Sequence, residues 1–195
     1  MKTRTLSALV AAFVLAGCIS FGAEPPPSLL SLTPEATTAA GTSRTIAPGE
    51  AITVLPPRVP AALATNRVPV QADATNIAYV KDAQWVDNPN RLFRALLSET
   101  IAAKTGRVVM DFRQFSFDPG VRIGGELRNF GVDAQAMEAV VTYDATRTLP
   151  GSDRIEERRF EARVPVTEVR AGPVGVALNS AANKVAADVA AWIGG

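Results

Sequence analysis

The sequence of 195 residues contains no histidine. This absence removes the usual near-neutral general base, the Ser-His-Asp arrangement and most zinc sites. Carboxylate pairs remain, but Asp73, Asp82 and Asp87 are spread over predicted loops, and Glu156 and Glu157 stand beside two arginines. No spacing singles out two acids that would face each other across a cleft. We therefore expect a protein that is not an enzyme, with no catalytic residue, no metal ligands and no cofactor.

Cysteine, aromatic residues and excess charge of one sign are also scarce. Cys18 is the only cysteine, so the chain forms no internal disulfide and depends on its core for stability. Lys and Arg total 20 against 19 acidic residues, which is not the basic excess that nucleic-acid binding requires. Aromatic residues make up 6% of the chain, and this low content disfavours a large dedicated lipid cavity.

The strongest pattern lies at the start of the chain. Lys2 and Arg4 precede an apolar run from about Leu6 to Val14, much shorter than the ~20 residues of a membrane-spanning helix. This layout is typical of a secretory signal. The run ends in Leu-Ala-Gly-Cys at Cys18, which resembles the bacterial lipobox. The resemblance implies a signal peptide over 1–17, cleavage before Cys18, and diacylglycerol on its sulfur, with a third acyl chain in many bacteria. The alternative is an ordinary signal peptide that is cut elsewhere.

Residues 18–27 are predicted to be a lipidated tether. Two or three acyl chains give firm attachment to a membrane. The segment ends in Pro25-Pro26-Pro27, which favours a semi-rigid spacer. Cys18 is followed by Ile19 and not by the Asp that retains lipoproteins in the inner membrane of enteric bacteria. By that analogy we expect the periplasmic face of the outer membrane, with the inner membrane as the alternative location.

Residues 28–195 are expected to form a single domain. Helical spacing of apolar residues begins after Pro89 and ends at Gly106, and a second such pattern follows Gly172–Gly175. Short apolar or alternating segments predict strands at 28–32, 51–55, 67–71, 76–80, 107–115, 121–128, 136–144 and 155–166. The last four are predicted to form an antiparallel meander, with a turn at 118–120. Pro69 predicts a sheet edge or a bulge for its strand. The fold class is therefore α/β or α+β, with a mixed, largely antiparallel sheet packed with two main amphipathic helices.

Two features are candidates for binding a partner protein. The first is a run of arginines interleaved with acidic residues in the last strand: Arg154, Arg158, Arg159 and Arg163. Charged strand edges are usually solvated and oppose pairing with other strands, and this is the first interpretation of the run. The second and more specific interpretation is a docking surface for a partner protein. The second is Trp85, just before the first helix. A buried Trp85 would belong to the core, and an exposed one would indicate a binding surface.

The order of these features resembles the ABC-type transport auxiliary lipoproteins, the PqiC/YmbA group. The lipobox and the Pro-rich tether are followed by Tyr79, by Trp85 six residues later, by a Pro-led helix, and by Gly106-Arg107 before a strand. The helix carries Arg91-Leu92 and Leu96-Leu97. The resemblance covers essentially the whole chain after the signal, and Tyr79 to Arg107 is its sharpest part.

The resemblance implies a non-catalytic role in lipid transport between membranes. Such lipoproteins work beside an inner-membrane ABC transporter and a periplasmic substrate-binding protein of the MCE type. This chain would dock or stabilise that protein at the outer membrane, and only Cys18 matches a position with defined chemistry. Two alternatives stay open: a periplasmic lipoprotein that carries lipid in its own pocket, and a structural envelope scaffold unrelated to transport.

Overall fold

The computed structural model describes residues 28–47, 49–113 and 120–194. Within these ranges, seven strands form one mixed sheet and two α-helices pack against it. The strands are β1 (Ile52–Val54), β2 (Arg67–Gln71), β3 (Ile77–Gln84), β4 (Val109–Met110), β5 (Val121–Asp133), β6 (Glu138–Thr148) and β7 (Ile155–Pro165). The helices are α1 (Pro89–Thr105) and α2 (Ala171–Gly194), and a 3-10 turn spans Ala61–Leu63. The predicted fold class is confirmed.

The sheet is built around β5, the longest strand. On one side β5 pairs antiparallel with β6, which pairs antiparallel with β7. The other side of β5 is shared by two short parallel strands: β1 lies beside its start and β2 beside its end. β4 then pairs in parallel with β1, and β3 antiparallel with β2. The sheet is therefore mixed, with the antiparallel meander of β5, β6 and β7 on one side.

The predicted four-stranded meander is corrected to three strands. Of the segment 107–115, only Val109–Met110 forms a strand, and it pairs in parallel with β1 on the other side of β5. The physical reason is that the chain passes through α1 before β4, and such a crossover returns it parallel to an earlier strand. Residues 114–119, which include most of the predicted turn at 118–120, lie outside the described residues.

Two other strand predictions also change. The segment 28–32 is not a strand, since Leu30 makes only an isolated bridge with Trp85. β2 has the predicted bounds and lies between β3 and β5, so of the two alternatives predicted from Pro69, an edge or a bulge, the edge does not apply. The predicted irregularity at Pro69 is present, because the pairing of β2 with β3 shifts register between Arg67 and Pro69.

Both helices contribute to one aromatic core on a single face of the sheet. Phe93 of α1 lies 5.2 Å from Tyr143 of β6, and Phe160 of β7 lies 5.7 Å from Trp192 of α2, between ring centroids. Side chains alternate along a strand, so the neighbours of these residues on β6 and β7 project to the opposite face. Burial of each large apolar side chain contributes roughly 1.5–3 kcal/mol, which makes this face the main source of stability.

α1 begins and ends at residues that the sequence identifies. Pro89 occupies its first turn, and Gly106 ends it with a left-handed backbone at φ 71°. Between these residues the apolar positions are buried: Phe93, Leu96, Leu97 and Ile101. The predicted amphipathic helix is confirmed.

Candidate partner-binding surfaces

The face of the sheet opposite the aromatic core carries charged side chains. On β7, Phe160 and Ala162 point to the core, so Arg159, Glu161 and Arg163 project from the other face. We call this surface the charged face. Its residues on β5, β6 and β7 are linked across the strands by ion pairs, which the sequence run on β7 alone does not reveal.

Asp144 is the centre of the charged face. Arg159 donates from Nε to Asp144 Oδ1 at 2.6 Å and from Nη2 to Oδ2 at 2.8 Å, while Arg128 donates to Oδ2 at 3.2 Å. The Asp144 side chain is only 9% exposed. The hydrogen bond from Arg159 is the main reason that the pKa of Asp144 is lowered, and it raises the pKa of Arg159 in turn. Arg159 therefore joins β6 to β7 within this chain.

A second group of ion pairs surrounds Arg163. Its guanidinium donates to Glu161 at 2.8 Å and to Glu138 at 3.3 Å, and it lies 3.6 Å from Asp133. Glu161 also accepts a hydrogen bond from the Thr142 hydroxyl at 2.8 Å. The hydrogen bond from Arg163 is the largest cause of the lowered pKa of Glu161. Arg163 thus ties the end of β7 to the β5–β6 hairpin.

The four predicted arginines do not form one patch. Arg154 lies in the loop before β7, and Arg158 points to the core side, where its guanidinium carbon is 5.1 Å from the Phe160 ring centroid. Arg159 and Arg163 lie on the charged face. Among the described residues, neither Arg154 nor Arg158 forms an ion pair. Their role in binding a partner stays a prediction.

Trp85 is corrected as a candidate for partner binding. Its residue is 1% exposed, and its ring lies 5.2 Å from that of Phe130 on β5. It follows β3 directly and is covered by the segment around Leu30. The indole therefore belongs to the core, and its surface is not available to a second protein. Its Nε1 atom has no hydrogen-bond partner among the described residues.

A segment that we call the strap, residues 30–47, crosses both helices. Asn183 of α2 accepts from the Glu35 amide at 2.8 Å and donates to the Thr33 carbonyl at 2.9 Å. Asn179, one turn earlier, accepts from the Thr33 amide at 2.8 Å. On α1, Glu99 accepts from the Thr38 amide at 2.6 Å. Residues 33–38 are therefore held by side chains of both helices.

Sequence reasoning missed the role of these asparagines. Asn179 and Asn183 lie off the apolar stripe of α2, and that pattern gives no reason to expect burial of either side chain. Asn183 is instead 4% exposed. The available signal was two asparagines four residues apart on an otherwise alanine-rich helix, where they meet the same passing segment of chain.

The strap also fixes where the chain enters the domain. The Leu30 amide donates to the Gln84 carbonyl at 2.7 Å, and the Leu30 carbonyl accepts from the Val86 amide at 2.8 Å. The Leu30 side chain rests against Gly175 near the start of α2. Cys18, the signal peptide and the tether lie outside the described residues, so cleavage and lipidation stay predictions.

Two open grooves flank α2. One, of about 530 Å³, runs between the edge of β7 and α2 and is lined by Arg158, Phe160, Glu161, Asp188 and Trp192, with Arg159 and Ala191. The other, of about 550 Å³, lies between the ends of the two helices and includes Lys104 and Arg107. Both open to solvent, unlike the enclosed pockets that bury most of a small ligand. The described residues contain no cluster of acidic or cysteine side chains that could hold a metal ion.

Comparison with known proteins identifies the family. The family model described as the ABC-type transport auxiliary lipoprotein component matches residues 29–190. The chain belongs to this family. Membership associates this auxiliary lipoprotein with an ABC-type transport system and with attachment to a membrane. No helix in the described ranges is both long and apolar enough to span a bilayer.

Solved structures support the same fold. An uncharacterized protein matches with a TM-score of 0.65 at 15% identity, covering 85% of this chain and 99% of that one. A protein from Xanthomonas campestris, assigned to the DUF330 family, matches with a TM-score of 0.67 at 15% identity, covering 85% of this chain and 94% of that one. At this identity the two structures establish the shared fold alone. No curated protein sequence matches the auxiliary lipoprotein.

Proposed function

We propose that this auxiliary lipoprotein is a non-catalytic outer-membrane component of an ABC-type lipid transport system, where it docks or stabilises the periplasmic MCE-type protein. The observation that carries the proposal is the family match over 29–190 together with the lipobox that ends at Cys18. The first supports an auxiliary role beside a transporter, and the second supports a lipid anchor at Cys18. The protein then contributes a surface and no chemistry.

The geometry of the strap supports a docking role. Ser28 is ten positions after Cys18, and a chain of that length reaches at most ~36 Å when fully extended. Leu30 packs near the start of α2, a helix of 24 residues that is ~36 Å long. The opposite end of the domain holds the end of α2 and the loop at 149–154. That end is farthest from Leu30, where the described chain enters the domain, and we propose it as the end that meets the periplasmic protein.

The described surface gives less support to a lipid carrier. The grooves beside α2 are open and carry charged residues, including Arg158, Asp188 and Lys104. The space between the helices and the sheet is filled by fully buried side chains such as Phe93, Phe130 and Tyr143. A carrier needs an apolar cavity for acyl chains, and the aromatic core occupies the place where a cavity between helices and sheet would form.

Crosslinking in intact cells tests the proposal. A photo-reactive residue at Arg154 or Arg158 should capture a periplasmic MCE protein, and one at Lys184, exposed on α2, serves as a matched control. Fractionation of the envelope should place the captured complex in the outer membrane. Failure to recover an MCE protein from either position, with stoichiometric phospholipid in the mass spectrum of the purified protein, would favour the lipid carrier.

A further inference from the structure

Three large apolar side chains are exposed where the described chain enters the domain. Among the described residues, five large apolar side chains are more than half exposed, and three of them are Leu29, Val86 and Val176. The other two, Ile77 and Ile155, are the first residues of β3 and β7 and lie elsewhere on the surface. Single exposed apolar residues are common on proteins, whereas several in one place indicate an interaction site.

Leu29, Val86 and Val176 belong to one end of the domain, and we call them the entry patch. Each is next to a contact of Leu30. The Leu30 carbonyl accepts from the Val86 amide at 2.8 Å, and the Leu30 side chain lies against Gly175, the neighbour of Val176. Leu29 directly precedes Leu30 in the chain. The entry patch therefore surrounds the point at which the strap meets the start of α2.

The surroundings of the entry patch add little net charge. No side chain from 171 to 178, at the start of α2, is polar or charged. The charged residues that flank the patch in the sequence are paired with each other within the domain: Asp87 with Arg91, and Glu168 with Arg170. An apolar contact with uncharged groups suits this end better than an electrostatic one.

The chain that precedes the entry patch indicates what covers it. Leu29 is eleven positions after Cys18, a distance of at most ~40 Å along an extended chain. This end of the domain is thus the part nearest to the predicted lipid anchor. A group held on a short tether meets its target at an effective concentration on the order of millimolar, so an apolar contact too weak to bind alone becomes populated.

We propose that the entry patch rests on the lipid surface in which Cys18 is anchored, with its three side chains at the boundary of headgroups and acyl chains. Interfacial binding grows with the apolar area that leaves water, and a lipid surface accepts Leu and Val without a matching shape. The start of α2 then faces the membrane and its last turn faces away. This inference rests on the lipid anchor of the proposed function and not on the MCE partner.

Quenching of a fluorophore by lipid tests the contact on the full lipoprotein, reconstituted into phosphatidylcholine vesicles. Acylation occupies the sulfur of Cys18, so the cysteine of Val176→Cys is the only thiol that takes the fluorophore. Phosphatidylcholine with a nitroxide on its headgroup or upper acyl chain should quench this label. Ile155→Cys is the matched control, because Ile155 is 70% exposed near the other end of α2, and its label should lose no fluorescence.

Two further measurements test whether the contact is apolar. Leu29→Asp/Val86→Asp should reduce the quenching at position 176, since a charge at the membrane boundary opposes burial of the patch. Both positions are exposed, so the domain should keep its unfolding midpoint. Ile155→Asp, introduced in the same labelled background, should leave the quenching unchanged. High salt should also leave it unchanged, because salt screens charges and not apolar contacts.

The outcomes separate this inference from the proposed function. Intact mass spectrometry that finds no acyl chains on Cys18 would overturn the anchor and the contact together. An acylated protein whose label at position 176 is quenched no more than the label at position 155 would overturn the contact alone and leave MCE docking standing. Loss of quenching at high salt would do the same. A label that is shielded from water but not quenched by nitroxide lipid would assign the patch to a protein partner or a second copy, against the proposal.

Discussion

Replacing Asn183 by Ala should release the strap from α2 while the rest of the domain stays folded. The side-chain amide of Asn183 holds the Glu35 amide and the Thr33 carbonyl at 2.8 and 2.9 Å. Both backbone groups lose their partner when the side chain is truncated. The neighbouring bond from the Thr33 amide to Asn179 remains, so the strap loses two of the three bonds that hold it to α2.

The expected cost follows from these two bonds. A hydrogen bond in a protein contributes about 0.5–1.5 kcal/mol net, so the loss of two costs about 2 kcal/mol. At 1.4 kcal/mol per factor of ten, opening of the strap should become about 30-fold more frequent. Solvent can reach the released groups, since the strap lies on the surface of the helices, and the effect should therefore stay local.

Hydrogen exchange measures this opening directly. The amides of Thr33 and Glu35 should exchange about 30-fold faster in Asn183→Ala, while the core amides of α1 keep their protection. Lys184→Ala is the control, because Lys184 is exposed on the next position of the same helix. An unchanged exchange rate of the Glu35 amide would refute the conclusion that the Asn183 side chain holds the strap on α2. Equal loss of protection throughout α1 would show that Asn183 supports the whole core.

Three further outcomes are expected. Trp85→Ala should lower the free energy of unfolding by about 3–5 kcal/mol in chemical denaturation, as large-to-small core changes do. Val86→Ala, at an exposed neighbouring position, is the control and should cost far less. A loss below about 1 kcal/mol for Trp85→Ala would contradict the burial of the indole. Cys18→Ser should leave the precursor uncleaved and mislocalised with its domain folded, and normal outer-membrane fractionation would refute the anchor. The lowered pKa of Asp144 adds stability above the pKa of the unfolded carboxyl, about 3.9, and this part is lost as pH falls through the folded value. The free energy of unfolding of Asp144→Asn should not show this part of the wild-type dependence on pH. An unchanged dependence would argue against the ion pair with Arg159.

The helices were predictable because their signals are local. Pro89 and Gly106 mark the ends of α1 by backbone geometry that each residue imposes on its own position. The buried stripe between them needs only the helical repeat. The meander of β5, β6 and β7 was predictable for a similar reason, since alternation and short turns identify antiparallel neighbours.

The order of the remaining strands could not be read in this way. β1 and β2 both pair with β5, which lies more than 45 residues further along the chain. The sequences of these two short strands do not indicate which strand they pair with. Pro69 predicts an edge because it cannot donate a ladder hydrogen bond. In the structure β2 is an interior strand whose pairing with β3 shifts register between Arg67 and Pro69, and Gly131 of β5 lies so close to the Pro69 carbonyl that a side chain there would collide with it.

The arginines of β7 show why a charge run alone does not define a site. Arg159 and Arg163 are four positions apart, yet the first is held by Asp144 and the second by Glu138, Asp133 and Glu161. Asp144, Glu138 and Asp133 come from other strands, so the sequence of β7 alone does not show which of its arginines are already paired. Charges paired inside the chain stabilise the sheet, so only the fold shows which arginines of a charged strand already have partners within the chain.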